Sequence, residues 1–292
     1  MTLVVSLPDY AEPARRLALR LGLEYRSIER HRFPDGESKI RVPVDPPPHV
    51  ILCQSLDRPN DKLVELLLAC ATLRENGARS LSLVAPYLCY MRQDTAFHPG
   101  EAVSQKIIGR FLAGQVNALI TVDAHLHRIH DLGEAIPLPT AINLSAAPLL
   151  GEFLASRHNR PLLLGPDAES AQWVAQVAAV GDFEHAVATK QRLGDRRVRI
   201  SLPDRDYDDR VVVLVDDVLA SGHTLAEAAR EVRAAGARKV CALVTHPLFV
   251  PGAEDVLEKA GVTDIWSSDS IVHPTNSVFL DGLLASALEP LR

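Results

Sequence analysis

The run Val211-Val-Val-Leu-Val-Asp-Asp-Val-Leu-Ala-Ser-Gly-His-Thr224 sets two adjacent carboxylates, Asp216 and Asp217, between an apolar stretch and a small hydroxyl-rich loop. Such a stretch reads as a central parallel strand, and ligands of open α/β sheets bind beyond the carboxyl ends of their strands. Neighbouring carboxylates there are costly unless something positive or hydroxylated meets them. The vicinal hydroxyls of a sugar, with or without Mg²⁺, would do so. The loop from Ala220 through Ser221, Gly222 and His223 to Thr224 opens a helical pattern, whose free N–H groups and dipole favour a phosphate. The chemistry indicated is sugar-phosphate binding. The plainer alternative is a strand-to-helix junction with Asp at a cap. No Walker A sequence occurs, so this is not a P-loop.

Other segments carry reactive types. Lys190 and Arg192 follow the alternating Ala186-Val-Ala-Thr189 and precede a charged stretch from Arg192 to Arg210. Cations at the root of a mobile arm can close over a reacting phosphate and stabilise developing charge; a solvated surface hairpin is the other reading. Arg92 and Gln93 lie just past a strand end after a Pro-Tyr turn, where a guanidinium can pair bidentately with phosphate oxygens. Phe33, Asp35 and Glu37 offer a ring for stacking and carboxylates that accept from an amino group. His125 ends a buried strand beside Asp123, with His127 and His130 close behind. H-x-H at a strand end is also a pattern of zinc-dependent amidohydrolases, but His223, His246 and His273 show no arrangement that would complete such a site.

The elements that position these residues alternate. Strand-like runs span Leu3–Leu7, Val50–Gln54, Leu81–Ala85, Ala118–Val122, Leu162–Leu164, Val211–Val215 and Val240–Val244. Helical periodicity fills the gaps, as in Leu63, Leu66, Leu67, Cys70 and Leu73. The expected fold class is α/β with parallel sheets flanked by helices. An internal repeat shows through: Arg74-Glu-Asn-Gly-Ala-Arg79 and the strand up to Pro86 recur as Arg233-Ala-Ala-Gly-Ala-Arg238 and the strand up to Pro247. Each copy ends a helix at a glycine suited to a left-handed turn. Where the second copy has its phosphate-type loop, the first has Asp57-Arg-Pro-Asn-Asp61, so one copy is read as having kept the site and the other as having lost it. The boundary is placed near Pro137 to Ala147, giving domains 1–142 and 143–292.

At 292 residues with a formal charge of −6, the chain can bury two cores and gives no support to polyanion binding as its main role, so no nucleic-acid partner is expected. Cys53, Cys70, Cys89 and Cys241 form no C-x-x-C pair, and no apolar run approaches a membrane span, so a cytoplasmic protein with reduced thiols is expected.

The Asp216-Asp217 loop resembles the ribose-phosphate loop of the type I phosphoribosyltransferase fold. Four further segments, Phe33-Pro-Asp-Gly-Glu37, Pro86-Tyr-Leu-Cys-Tyr-Met-Arg-Gln-Asp94 with Gly100-Glu101, Val122-Asp-Ala-His125 and Gly165-Pro-Asp167, resemble in order and spacing those of the ribose-phosphate pyrophosphokinase family. The likeness runs from about residue 4 to Val272. It implies two tandem phosphoribosyltransferase-like domains and transfer of the β,γ-diphosphoryl group of Mg-ATP to C1 of ribose 5-phosphate. It also implies an ATP site at Arg92, Gln93, Asp94 and His125, and an adenine contact from Phe33, Asp35 and Glu37 supplied to a neighbouring subunit. Asp216, Asp217 and Ala220, Ser221, Gly222, His223 and Thr224 would hold ribose 5-phosphate. His125 and Asp167 would contact Mg²⁺, Lys190 and Arg192 would be catalytic, and His127 and His130 would be helix surface residues. A homo-oligomer built from dimers, with a hexamer as one form, follows from the same likeness. Two departures stand out: Ala220 occupies a position where synthetases often carry an acid or hydroxyl, and Thr95–Gly100 is short beside phosphate-activated relatives. A phosphoribosyltransferase, or a non-catalytic subunit regulating a synthetase, remain the other readings.

Overall fold

The computed structural model describes residues 1–126, 128–129, 131–192 and 198–291, without the side chains of residues 191, 192 and 198. His127, His130 and the tip of the arm after Arg192 lie outside the described residues. The chain forms two compact units, one of residues 1–145, 270–272 and 279–292, the other of residues 146–269 and 273–278.

Unit 1 runs β1 (Thr2–Ser6), α1 (Ala11–Leu21), β2 (Glu24–Ser27), β3 (Glu29–Arg32), β4 (Ser38–Arg41), β5 (His49–Cys53), α2 (Pro59–Glu75), β6 (Ser80–Val84), α3 (Ser104–Gln115), β7 (Ala118–Val122), α4 (Leu132–Ala135) and β8 (Thr140–Leu144). Its main sheet has the order β2-β1-β5-β6-β7-β8, parallel throughout. Unit 2 runs α5 (Ala147–Arg157), β9 (Leu162–Gly165), α6 (Ala171–Gly181), β10 (His185–Val187), β11 (Thr189–Arg192), β12 (Val198–Ser201), β13 (Val211–Leu219), α7 (His223–Ala234), β14 (Lys239–Pro247), α8 (Ala253–Lys259), β15 (Val262–Ser268) and β16 (Asn276–Val278), and α9 (Asp281–Leu288) returns to unit 1. The unit 2 sheet is β10-β9-β13-β14-β15-β16, again parallel. Each unit also carries an antiparallel hairpin at the same point of its chain order, β3–β4 and β11–β12.

Central strands read as near-continuous apolar runs because helices cover both faces of the sheet. Val50, Ile51, Leu52, Val212, Val213 and Leu214 have no exposed surface. The repeat seen in sequence is structural: Gly77 and Gly236 take φ of 110° and 96° past α2 and α7, and Ala78 and Ala237 then bond back to Leu73 and Val232 at 3.0 and 3.2 Å. Leu67, expected on the apolar stripe of α2, is 38% exposed, whereas Glu65 on that helix is completely buried. All four thiols are free and buried, and burial pushes those of Cys70 and Cys89 up to about 12, which keeps them inert. No described helix is long and apolar enough to cross a membrane.

Candidate active site

In unit 2, β13 extends past its apolar run, so Asp216 and Asp217 lie inside a strand ending at Leu219 rather than after one ending at Val215. The next strand, β14, also runs on to Pro247 and pairs Asp216 with Val244 and Val218 with His246. Neighbouring strand residues face opposite sides of the sheet, so the two carboxylates are presented differently. Asp217 is 5% exposed, while Asp216 keeps some accessible surface. Burial first, then the charges of Asp217 and Asp167, raise the Asp216 carboxyl well above the usual carboxylate range. The backbone N–H of Asp217 donates to Asp216 Oδ1 at 3.0 Å and offsets part of that crowding.

Asp167 follows β9, the strand beside β13. Its Oδ1 accepts from the Glu169 N–H at 3.1 Å, and its Oδ2 from Lys190 Nζ at 2.9 Å. Lys190 stands on β11, opposite Ile200 of β12. The expected strand through Thr189 is broken at Ala188 into β10 and β11, so the two candidate cations sit on the first strand of the hairpin and not after it. The structure thereby brings Lys190, Asp167, Asp216 and Asp217 into one cluster. Arg192 shares β11, and its side chain is outside the described residues.

The loop after β13 ends at Gly222, which enters α7 with φ of 72° and no capping side chain. A Cβ there would lie 3.2 Å from Leu257 and 3.3 Å from the Ala253 carbonyl, so a larger residue would be strained both by these contacts and by the positive φ. His223 and Thr224 form the first turn of the helix and Ser221 is exposed beside it, leaving the turn open to an anion. Ala220 takes part through its carbonyl, which accepts from the Val250 N–H at 3.1 Å, as the Leu219 carbonyl does from Phe249. The segment after β14 thus pins the loop, a support no sequence motif signalled.

Unit 1 carries the remaining candidates. Arg92 is exposed and has no partner among the described residues. The segment around it is fixed by Gln105, buried at the start of α3, which donates from Nε2 to the Met91 carbonyl and from its backbone to the Gln93 carbonyl at 3.3 and 3.2 Å. Asp94 turns inward to an ion pair with Arg128, its side chain only 3% exposed, and holds that guanidinium near Phe97 at 6.0 Å. Gln105 and Arg128 were invisible as site residues in sequence, since neither belongs to a motif. Glu101 closes the loop from Thr95, accepting from the Phe97 and His98 N–H groups and pairing with His98 Nδ1 at 2.7 Å. His125 is half-buried in the loop after β7, two residues past Asp123, whose φ of 41° stores strain at the strand end. Phe33, Asp35 and Glu37 sit on the exposed turn of the β3–β4 hairpin, with the Phe33 N–H donating to the Glu37 carbonyl at 2.8 Å.

No group of three or more His, Cys, Asp or Glu side chains among the described residues is arranged to hold a metal alone. Mg²⁺ keeps several waters and is bound through one or two carboxylates plus substrate phosphates. The crowded oxygens of Asp167 and Asp216 supply hard donors of the right kind. His125 belongs to unit 1 and Asp167 to unit 2.

A family model described as the N-terminal domain of ribose phosphate pyrophosphokinase matches residues 2–114, and a phosphoribosyl transferase domain model matches residues 142–279. The chain is 35% identical over 294 residues to a ribose-phosphate pyrophosphokinase of Methanopyrus kandleri, covering 99% of each chain. It is 36% identical to that of Methanosarcina acetivorans, covering 95% of this chain and 96% of the other. The crystal structure of phosphoribosylpyrophosphate synthetase from Mycobacterium smegmatis superposes with a TM-score of 0.84 at 20% identity, over 100% of this chain and 99% of that one. That likeness establishes the fold.

Proposed function

The chain belongs to the ribose-phosphate pyrophosphokinase family, and from that membership we propose that it moves the β,γ-diphosphoryl group of ATP to the C1 hydroxyl of ribose 5-phosphate, giving 5-phosphoribosyl 1-diphosphate and AMP. The observation that carries the reading is the cluster of Lys190 and Asp167 beside Asp216 and Asp217, next to the uncapped start of α7. Asp216 and Asp217 accept from the ribose hydroxyls. Ser221, His223, Thr224 and the backbone of Ala220 to Gly222 surround the 5-phosphate.

Arg92, Gln93 and His125 orient the nucleotide phosphates, and Asp94 acts through Arg128. Phe33, Asp35 and Glu37 stack on and bond the adenine of a neighbouring subunit's site, in a homo-oligomer built from dimers; light scattering that returns a monomer at assay concentration rules this out. Asp167 by its carboxylate and His125 by its imidazole or a bound water would hold Mg²⁺, which when bound neutralises phosphate charge. Lys190 and Arg192 stabilise charge on the transferring group. The attacking C1 oxygen forms its bond to the β-phosphorus as the bond to the α-phosphate oxygen breaks, AMP leaves with that electron pair, and the hydroxyl proton passes to solvent. A loose transition state needs no strong base. The buried, high-pKa thiols agree with a cytoplasmic setting.

The test is to incubate the protein with ATP, ribose 5-phosphate and Mg²⁺ and quantify AMP with the phosphoribosyl product. Equimolar formation of both is expected. ADP in place of AMP, or nucleotide turnover without ribose dependence, overturns the reading.

A further inference from the structure

The two units repeat more than their sheets. Asp9 follows β1 as Asp167 follows β9, each directly after a proline. Asp9 pairs with Arg30 at 2.6 Å as Asp167 pairs with Lys190 at 2.9 Å. Arg30 and Arg32 hold the positions on β3 that Lys190 and Arg192 hold on β11: Glu29 pairs with Arg41 and Arg30 with Ile40, as Thr189 pairs with Ser201 and Lys190 with Ile200. The register between neighbouring strands continues the match. The last pairs are Ser6 with Cys53 and Leu164 with Leu214, so Ser55 lies two residues past its strand's last pair, as Asp216 does past its own. Arg58 enters α2 with φ of 47° and no capping side chain, as Gly222 enters α7 with φ of 72°.

Asp9, Arg30, Arg32, Ser55 and Arg58 line a cavity of about 430 Å³ wholly within unit 1. Ser55, at 2% exposure, lines it, and its Oγ has no hydrogen-bond partner among the described residues. A buried hydroxyl left unmade is a cost that a ligand oxygen would remove. Lys62 also reaches the cavity, from between the Ser55 carbonyl at 3.0 Å and Asp57 at 2.6 Å, and Arg58 is exposed with no ion-pair partner among the described residues.

We propose that this cavity is a second phosphate-ester site. Ser55, Arg58 and the first turn of α2 would meet the phosphate, with Arg30 and Arg32 beside it and Asp57 accepting from the ester's hydroxyls. The volume lies in the range of small-ligand sites and exceeds the need of a bare phosphate. This departs from the expectation that this copy lost its ligand. The proposal does not depend on which reaction unit 2 serves. A ligand here would touch the root of the hairpin that presents Phe33, Asp35 and Glu37, which gives it a means of biasing that turn.

Equilibrium dialysis of the full chain with labelled orthophosphate tests it. Two phosphates per chain are expected. Ser55→Ala with Arg58→Ala should lose one, weakening it at least tenfold, while product formation reports an intact fold; Ser221→Ala with Thr224→Ala should lose the other. In that second variant, unlabelled ribose 5-phosphate or AMP should displace the remaining phosphate. The absence of any phosphate that depends on Ser55 and Arg58, or no displacement of it by either ester, overturns the proposal. Failure of the Thr224-dependent site alone counts against the reading of unit 2 instead.

Discussion

Units 1 and 2 share strand order, hairpin placement and an acid–base pair after the first strand, yet they solve the same junction with opposite electrostatics. In unit 1, Glu65 of α2 is fully buried and grips the hairpin, accepting from Arg30 at 3.1 Å, Arg32 at 3.2 Å and Ser38 Oγ at 2.9 Å. Burial alone would raise the Asp9 carboxyl, but the hydrogen bond and charge of Arg30 hold it below its ordinary value. In unit 2, Ala229 stands in α7, counted from Gly222, where Glu65 stands in α2 counted from Arg58, and the carboxylates have moved to Asp216 and Asp217. There burial raises a carboxyl in place of a cation lowering it. The difference teaches that the fold supplies positions and that carboxylate placement decides their electrostatics: paired charges brace the unit 1 hairpin, and in unit 2 the carboxylates crowd one another.

Removing the brace should have the largest effect on stability. Glu65→Ala leaves two guanidinium groups around an emptied buried position, and breaking such a pair costs about 3–5 kcal/mol. Denaturant unfolding should show the loss, with Glu65→Gln falling between it and the parent. If both unfold like the parent, the contrast between the units has no energetic content. Lys190→Ala comes next. The ion pair with Asp167 is mostly buried, its side chains 19% and 14% exposed, so its loss also lowers stability, and a lost transition-state donor costs on the order of 3 kcal/mol in the barrier. Product formation per folded molecule should fall about a hundredfold or more; an unaltered rate would remove Lys190 from the chemistry.

How much of this was legible beforehand follows from the range of each interaction. The Asp216-Asp217 line, the loop to Thr224 and the repeated glycine turns are local patterns, and sequence located them all. The strand's extension through Asp216 was not legible, because the pairing of β13 with β14 overrides the polar run. Nor was Glu65, whose burial depends on three partners from the hairpin, a segment distant in the chain. The brief strands of that hairpin, rich in Arg and Glu, carry no apolar alternation to announce them. The paired roles of Asp9 with Arg30 and Asp167 with Lys190 emerge only once the two sheets are laid side by side.

The crowding at Asp216 can itself be measured. A carboxyl whose folded pKa exceeds its unfolded value is bound to its proton more tightly in the folded chain. The resulting cost is absent below the ordinary value of 3.8, grows as pH rises toward the raised one, and is complete only above it. Asp216→Asn should therefore raise the unfolding temperature at pH 8, with the gain shrinking toward pH about 4, while ribose-dependent turnover collapses. Such an exchange of stability for activity is expected where charges are held for a ligand. A lower unfolding temperature at pH 8 would mean that Asp216 is satisfied within the protein.

The smallest effects lie at the two helix entrances, where a left-handed residue is glycine in one unit and arginine in the other. Gly222→Ala adds a side chain to that conformation and presses on Leu257 and Ala253, at a cost of about 1–2 kcal/mol. Arg58→Gly relieves a comparable strain but gives the unfolded chain more freedom, so its net gain should be no more than about 1 kcal/mol. Opposite signs are the informative outcome, because they would mean that unit 1 tolerates a strained Arg58 for its side chain. If Arg58→Gly destabilises the protein, that guanidinium is held by contacts within the chain, and its exposure toward the cavity loses its meaning.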